Sequence, residues 1–223
     1  DQLVVNFEER LLKEAAKHKL LVNFHGAYHP NGMERAYPNC INVEGVKGLE
    51  WDKIAGADGA TPQTAVTIPF IRMFAGPMDY TPGAMSNYNQ AEWRIIKKRP
   101  MSQGTRCQQL AMYVVYYAPL QMLADSPTAY MKEPQFTKFL AGIPTVWDKT
   151  LPLDSKVGEY VNVARKKGST WYVAGMTNWT PRNQYIRFDF LDKGREYFAE
   201  IVSDGVNADK VGSDYVMGKR DVH

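Results

Sequence analysis

Near Asp148 the rhythm of this chain changes, and that change limits the architectures open to it. Upstream, apolar positions recurring at three and four alternate with short continuous apolar runs. Leu3, Val4, Phe7, Leu11, Leu12, Ala15 and Ala16 form one stripe, which predicts a helix from Leu3 to Lys19. "KLLVNFHGAY" is apolar from Leu20 to Phe24 and then opens into a polar, glycine-containing loop. Buried parallel strands end in this way. The run from Ala65 to Phe74 and the stretch "PLQMLADSP" repeat the design, whereas Thr105–Tyr117 and Pro134–Leu140 read as helices. The Pro-, Asn- and Gly-rich stretch His29–Asn42 reads as loop. Alternation of the two patterns predicts a parallel α/β sheet or barrel.

Downstream, "EYVNVARKKGSTWYVAGMTNW", "NQYIRFDF" and "YFAEIVSDG" alternate apolar with polar residues and are separated by turn signals. These are expected to be half-buried antiparallel strands. The boundary is placed near Asp148, with a small β-sandwich following. A chain of 223 residues is long enough for such a division and for a substantial core.

The formal net charge of +3 is small, and "ARKKGS" at 164–169 reads as a solvated turn. The basic clusters lack interleaved stacking aromatics, so nucleic acid is not an expected partner. No apolar run approaches the length of a membrane span, and no signal peptide is visible. Cys40 and Cys107 lie far apart without metal-ligand spacing and are expected to be two independent buried thiols, with a disulfide as the alternative.

"INVEGVKGLEW", residues 41–51, carries Glu44 and Glu50. A helix turns carboxylates at this spacing off a common face, and a strand holds them about 20 Å apart. Only a bent path brings them to one point, and Gly45 and Gly48 permit one. Converging carboxylates bind a hard cation or share acid/base work, although ordinary solvated acids fit the pattern too. His25-Gly26 and Asp79-Tyr80 also follow predicted strands, where α/β barrels place their chemistry. His25 has a structural reading as a satisfied histidine, and Asp79 one as a turn cap. No G-x-S-x-G, phosphate loop, H-E-x-x-H or C-x-x-C motif is present, which leaves hydrolase chemistry built on carboxylates.

"LVNFHGAYHPNGMERAYPN", "VEGVKGLEW", "TIPFIRMFAGPMDYTPGAM" and "PLQMLADSP" closely resemble catalytic-barrel segments of glycoside hydrolase family 97. "IPTVWDKT", "GEYVNVARKKGSTWYVAGMTNWTPR" and "DGVNAD" resemble that family's C-terminal β-domain. The resemblance implies an α/β plus all-β chain: the second half of a (β/α)8 TIM barrel over 1–148, then a C-terminal antiparallel β-sandwich over 149–223. An N-terminal part of the same protein would supply a β-sandwich and the first four barrel strands. It implies hydrolysis of terminal α-linked sugars, dependence on a calcium ion, and a periplasmic or otherwise exported location.

On these residues the resemblance makes Glu50 the proton donor, Glu44 and Glu50 calcium ligands, and His25 a substrate contact. Asp79 is read, independently of the family, as a contact to a sugar hydroxyl. Inverting members carry His-Glu where this chain has His25-Gly26, so the usual base is absent. Retaining members have Gly there and use an Asp nucleophile from strand four, which would lie a few residues before Asp1. The two mechanisms differ in carboxyl separation, about 5–5.5 Å for retention and 6.5–9.5 Å for inversion. A retaining α-galactosidase is the leading expectation. An α-glucosidase of the same family and a non-catalytic carbohydrate-binding homologue are the alternatives.

Overall fold

The computed structural model describes residues 2–54 and 58–222. Helix α1 (Gln2–Lys17) buries Leu12 and Glu8 and keeps its charged side outward. It stops where Lys19 turns to φ +57 and the Leu20 N–H returns to the Ala15 carbonyl. A left-handed residue closing a helix end satisfies an otherwise orphaned carbonyl. The chain then enters β1 (Val22–Phe24), which pairs in parallel with β2 (Cys40–Val43). A one-turn helix α2 (Met33–Ala36) lies between them, inside the stretch expected to be loop. Val43 bridges in parallel to Met78, whose N–H donates to the Tyr117 carbonyl at 3.1 Å. Four extended segments therefore lie in a row.

Three stretches expected to be strands are not strands. Ala65–Phe74 runs through α3 (Pro62–Ala65), α4 (Ile68–Ile71) and a 3-10 turn at Arg72–Ala75. Its start signals are local: the Thr61 hydroxyl accepts from Thr64 N–H, and Pro62 and Pro69 stand in first-turn positions. A short apolar run does not by itself distinguish a buried helix from a buried strand. "NQYIRFDF" also forms no strand, for its alternation finds no partner and leaves Tyr185 exposed. "PLQMLADSP" runs beside the row, with Leu120 accepting from the Asn42 amide at 2.8 Å, but builds no ladder of its own.

A short parallel pair, β3 (Asn87–Tyr88) and β4 (Ser102–Gln103), precedes α5 (Arg106–Val115). Helix α5 is the expected helix, and it is capped by the Thr105 hydroxyl, which accepts from Gln108 N–H. Helices α6 (Pro127–Met131) and α7 (Pro134–Ala141) follow. Past Asp148 the structure is antiparallel. Strands β5 (Lys149–Pro152), β6 (Tyr160–Lys167) and β7 (Thr170–Thr177) form one sheet, and β8 (Tyr197–Asp204) and β9 (Tyr215–Val222) another. The hydrophobic core is continuous across Asp148: Met78, Tyr80, Met112 and Val115 pack in one cluster with Val161 and Met176.

Arg165 corrects the expectation that "ARKKGS" is solvated. Its guanidinium is buried and donates to the carbonyls of Val114 and Val115 at the end of α5. Cys40 and Cys107 are free, as expected, but only Cys40 is buried and Cys107 is part-exposed. Among the described residues no helix is long and apolar enough to cross a membrane.

Candidate active site

The ends of three parallel segments meet at one point. Strand β1 carries Asn23 and, just past its end, His25, two residues apart and so on one side of the chain. Both reach Asp79, which follows Met78: Asn23 Nδ2 donates to Asp79 Oδ2 at 2.8 Å, and His25 Nδ1 lies 3.0 Å from the same oxygen. Glu44 follows β2, and its N–H donates to Phe24 O at 2.8 Å. Its carboxylate accepts the Gly26 N–H at 2.5 Å. On its other edge, His25 Nε2 lies 3.7 Å from Glu44 Oε1 and 4.0 Å from Glu50 Oε1. One imidazole thus touches the surroundings of all three acids.

The bend between Glu44 and Glu50 exists, and its two glycines serve it differently. Gly45 has φ +45, and a Cβ there would come 2.3 Å from the His29 backbone. Gly48 has an ordinary φ of −71 but stands where a Cβ would meet Glu50 Oε2 at 2.7 Å. Gly45 supplies both the conformation and the space that His29 takes up, whereas Gly48 supplies space alone. Glu50 then sits in a 3-10 turn, Leu49–Lys53, tied to the third strand end by Leu49 N–H donating to Tyr80 O at 3.1 Å. Asp52 anchors the turn from below. Its buried carboxylate accepts Ala60 N–H at 2.8 Å, Gln103 N–H at 3.2 Å and Gln103 Nε2 at 3.0 Å.

Burial raises the Glu50 carboxyl above the usual carboxylate range, and the neighbouring Glu44 raises it further. Desolvation disfavours the charged form, and a second carboxylate does the same. His25 is raised chiefly by its bond to Asp79, which favours the imidazolium. The predicted residues are therefore gathered: Glu44 and Asp79 buried, Glu50 part-buried, and His25 with 52% of its side chain open to solvent. Asp79 is 3% exposed and faces His25 and Asn23. Sequence reasoning missed Asn23, Asp52 and Arg72. Only Asn23 left a readable signal, its two-residue offset from His25 on a strand.

His25, Glu44 and Glu50 each offer a ligand atom within 4.8 Å of the others. Two adjacent carboxylates suit a hard cation, which takes oxygen ligands and leaves the remaining positions to water or sugar hydroxyls. The donor set fits calcium through Glu44 and Glu50.

Acids and one imidazole gathered at the C-terminal ends of parallel segments define an α/β protein with a carboxylate-based site. The chain belongs to glycoside hydrolase family 97: the profile described as "Glycoside hydrolase 97" matches residues 1–46, and "Glycosyl-hydrolase 97 C-terminal, oligomerisation" matches residues 146–223. The chain is 47% identical over 215 residues to a retaining alpha-galactosidase of Bacteroides thetaiotaomicron, covering 96% of this chain and 32% of that one. It is 33% identical over 174 residues to a probable retaining alpha-galactosidase of Streptomyces bingchenggensis, covering 78% of this chain and 25% of that one. Among solved structures, a family 97 enzyme of Pseudoalteromonas sp. strain K8 in complex with panose superposes with a TM-score of 0.88 at 35% identity. That match covers 100% of this chain and 34% of the other. A beta-arabinopyranosidase shares the fold, with a TM-score of 0.68 at 24% identity over 96% of this chain and 33% of that one. The chain spans about a third or less of the length of the relatives it matches.

Proposed function

We propose that this chain carries the acid side of a retaining α-galactosidase. The carrying observation is Glu50, held part-buried beside Glu44 at the strand ends with its carboxyl raised by burial and by that neighbour. A carboxyl of this kind keeps its proton until the glycosidic oxygen departs, and afterwards takes one from water. Glu50 is the acid and then the base. His25, half open and oriented by Asp79 through Nδ1, contacts the sugar; Asp79 acts through that imidazole. Glu44 and Glu50 would hold a calcium ion, which when bound supplies positive charge that orients the sugar hydroxyls against the acid.

Gly26 supports retention. Its backbone N–H is spent on Glu44, and it brings no carboxylate to serve as a base on the opposite face of the sugar. The nucleophile is then an aspartate of the upstream polypeptide, which also completes a (β/α)8 barrel around residues 1–148, with a β-sandwich over 149–223 behind it. Such an enzyme would work in the periplasm or outside the cell. The C-terminal region is the expected surface for self-association, in keeping with the description of its family profile.

The test uses the protein that carries this chain, with Glu50→Gln and two α-galactosides that differ in leaving group. Hydrolysis of the sugar-leaving substrate should fall by about a hundred- to ten-thousandfold, the usual worth of a general acid. Glycosylation by an activated aryl galactoside should change far less. The wild-type kcat/KM should decline as pH rises through the raised Glu50 carboxyl, since the acid must begin protonated, and Glu50→Gln should lack that limb. Equal loss on both substrates would sink the assignment.

An α-glucosidase is the second reading, favoured by the relative in complex with panose, a sugar built from glucose. Proton NMR of the first-formed anomer, with galactoside and glucoside offered together, separates the two. Release of the inverted anomer would end the retaining claim.

A further inference from the structure

Arg72 is a buried cation with no carboxylate within ion-pair distance among the described residues, and Glu34 acts on it through its charge alone. Its five hydrogen bonds all end on backbone carbonyls. Nε donates to Glu44 O at 3.1 Å, Nη1 to Gly76 O at 3.1 Å, and Nη2 to Val43, Glu44 and Pro77 oxygens at 2.7, 2.9 and 3.0 Å. Burying a charge without a contacting counter-ion is costly, and burial lowers the guanidinium's own pKa against a smaller opposing effect of the Glu34 charge. A chain that keeps such a group has a use for its geometry.

The carbonyls belong to two places only. Val43 ends β2 and Glu44 follows it, and Gly76 and Pro77 lead into Met78 and Asp79. The fan of donors therefore fixes the loop bearing Glu44 against the loop bearing Asp79. Glu44 in turn holds the Gly26 N–H, and Asp79 holds His25 and Asn23. We infer that Arg72 is the positioning residue of the whole strand-end cluster, setting the separation of its acids without touching substrate. The inference rests on the reading of Glu44 as a site carboxylate.

Lysine does not replace it. An ammonium has three donors around one point and holds its water strongly, whereas the guanidinium spreads its donors over a plane. Outer-shell partners that orient ligands typically cost about ten- to a hundredfold in metal affinity or activity when removed.

The experiment compares Arg72→Lys and Arg72→Gln with wild type and with Val115→Ala, a core change on α5 outside the cluster. Each protein carries the full chain. Melting and circular dichroism report folding, terbium luminescence titration reports the acid cluster with Tb3+ as probe, and an aryl α-galactoside reports kcat and KM. Both Arg72 variants should fold, bind Tb3+ at least about tenfold more weakly, and lose kcat with KM little changed. Val115→Ala should melt lower yet keep its Tb3+ affinity. The assignment is overturned if Arg72→Lys matches wild type, if Val115→Ala weakens Tb3+ equally, or if neither Arg72 variant folds. Failure to fold would make Arg72 a support of the whole chain. A wild-type protein that binds Tb3+ but cleaves no α-galactoside would remove the proposed function and leave the Arg72 result standing; one that does neither would remove both.

Discussion

Gly26 and Gly45 both hold positive φ, +66 and +45, yet only one of them is hemmed in. A methyl at Gly26 meets nothing within 4 Å, so Gly26→Ala should cost only the backbone term, about 1–2 kcal/mol. At Gly45 the same methyl meets His29 backbone atoms at 2.3 Å, and backbone cannot rotate away. Gly45→Ala adds displacement of the turn to roughly 1–3 kcal/mol of local strain. Urea midpoints should therefore separate the two variants by well over the Gly26 effect, and Glu44 should move in Gly45→Ala. Equal midpoints would mean that the bend is soft. The sequence makes this bend readable because a glycine between two acids is a local signal. It does not reveal that Gly45 supplies both conformation and room and Gly48 room alone, since that depends on His29 and on Glu50 itself.

At the scale of elements, the 3-10 turn Leu49–Lys53 is what presents Glu50, and Asp52 is what holds the turn. Asn at position 52 keeps one acceptor oxygen and turns an NH2 toward a donor, so Asp52→Asn should lose about 1–3 kcal/mol of stability. Activity should fall further than that loss explains, because the turn carrying Glu50 loosens. Denaturant unfolding beside kcat/KM measures both, and activity preserved at reduced stability would show that the turn holds without its anchor. Asp52 was not legible in the sequence because its partner Gln103 lies 51 residues away. Helix α5 was legible because its Thr105 cap and its apolar pattern are contiguous. Between these lies the run from Ala65 to Phe74, whose caps were present but whose apolar content spoke equally for a strand. What is local in the physics was readable; what depends on a distant partner was not.

At the scale of the molecule, the change of period near Asp148 separates two kinds of structure without separating two cores. Val161, Val163 and Met176 of the antiparallel sheet lie in the cluster that holds Met112 and Val115 of α5. Arg165 fastens the join: its guanidinium donates to Val114 O at 2.5 Å, to Val115 O at 3.0 Å and to Thr150 Oγ1 at 3.0 Å, and it lies over the Trp147 ring. These carbonyls end α5 and have no partner within the helix, so Arg165 both caps the helix and binds it to β6. In wild type, α5 and strands β6 and β7 should then open as one unit, with a common free energy of amide exchange. Arg165→Met keeps bulk but leaves the two carbonyls buried and unpaired, at about 1–3 kcal/mol. Hydrogen exchange of the protein carrying this chain should show protection falling by a similar amount on α5 and on both strands. If the strands lose protection while α5 keeps it, the shared core does not couple them, and the region past Asp148 unfolds independently of the half that bears the acids.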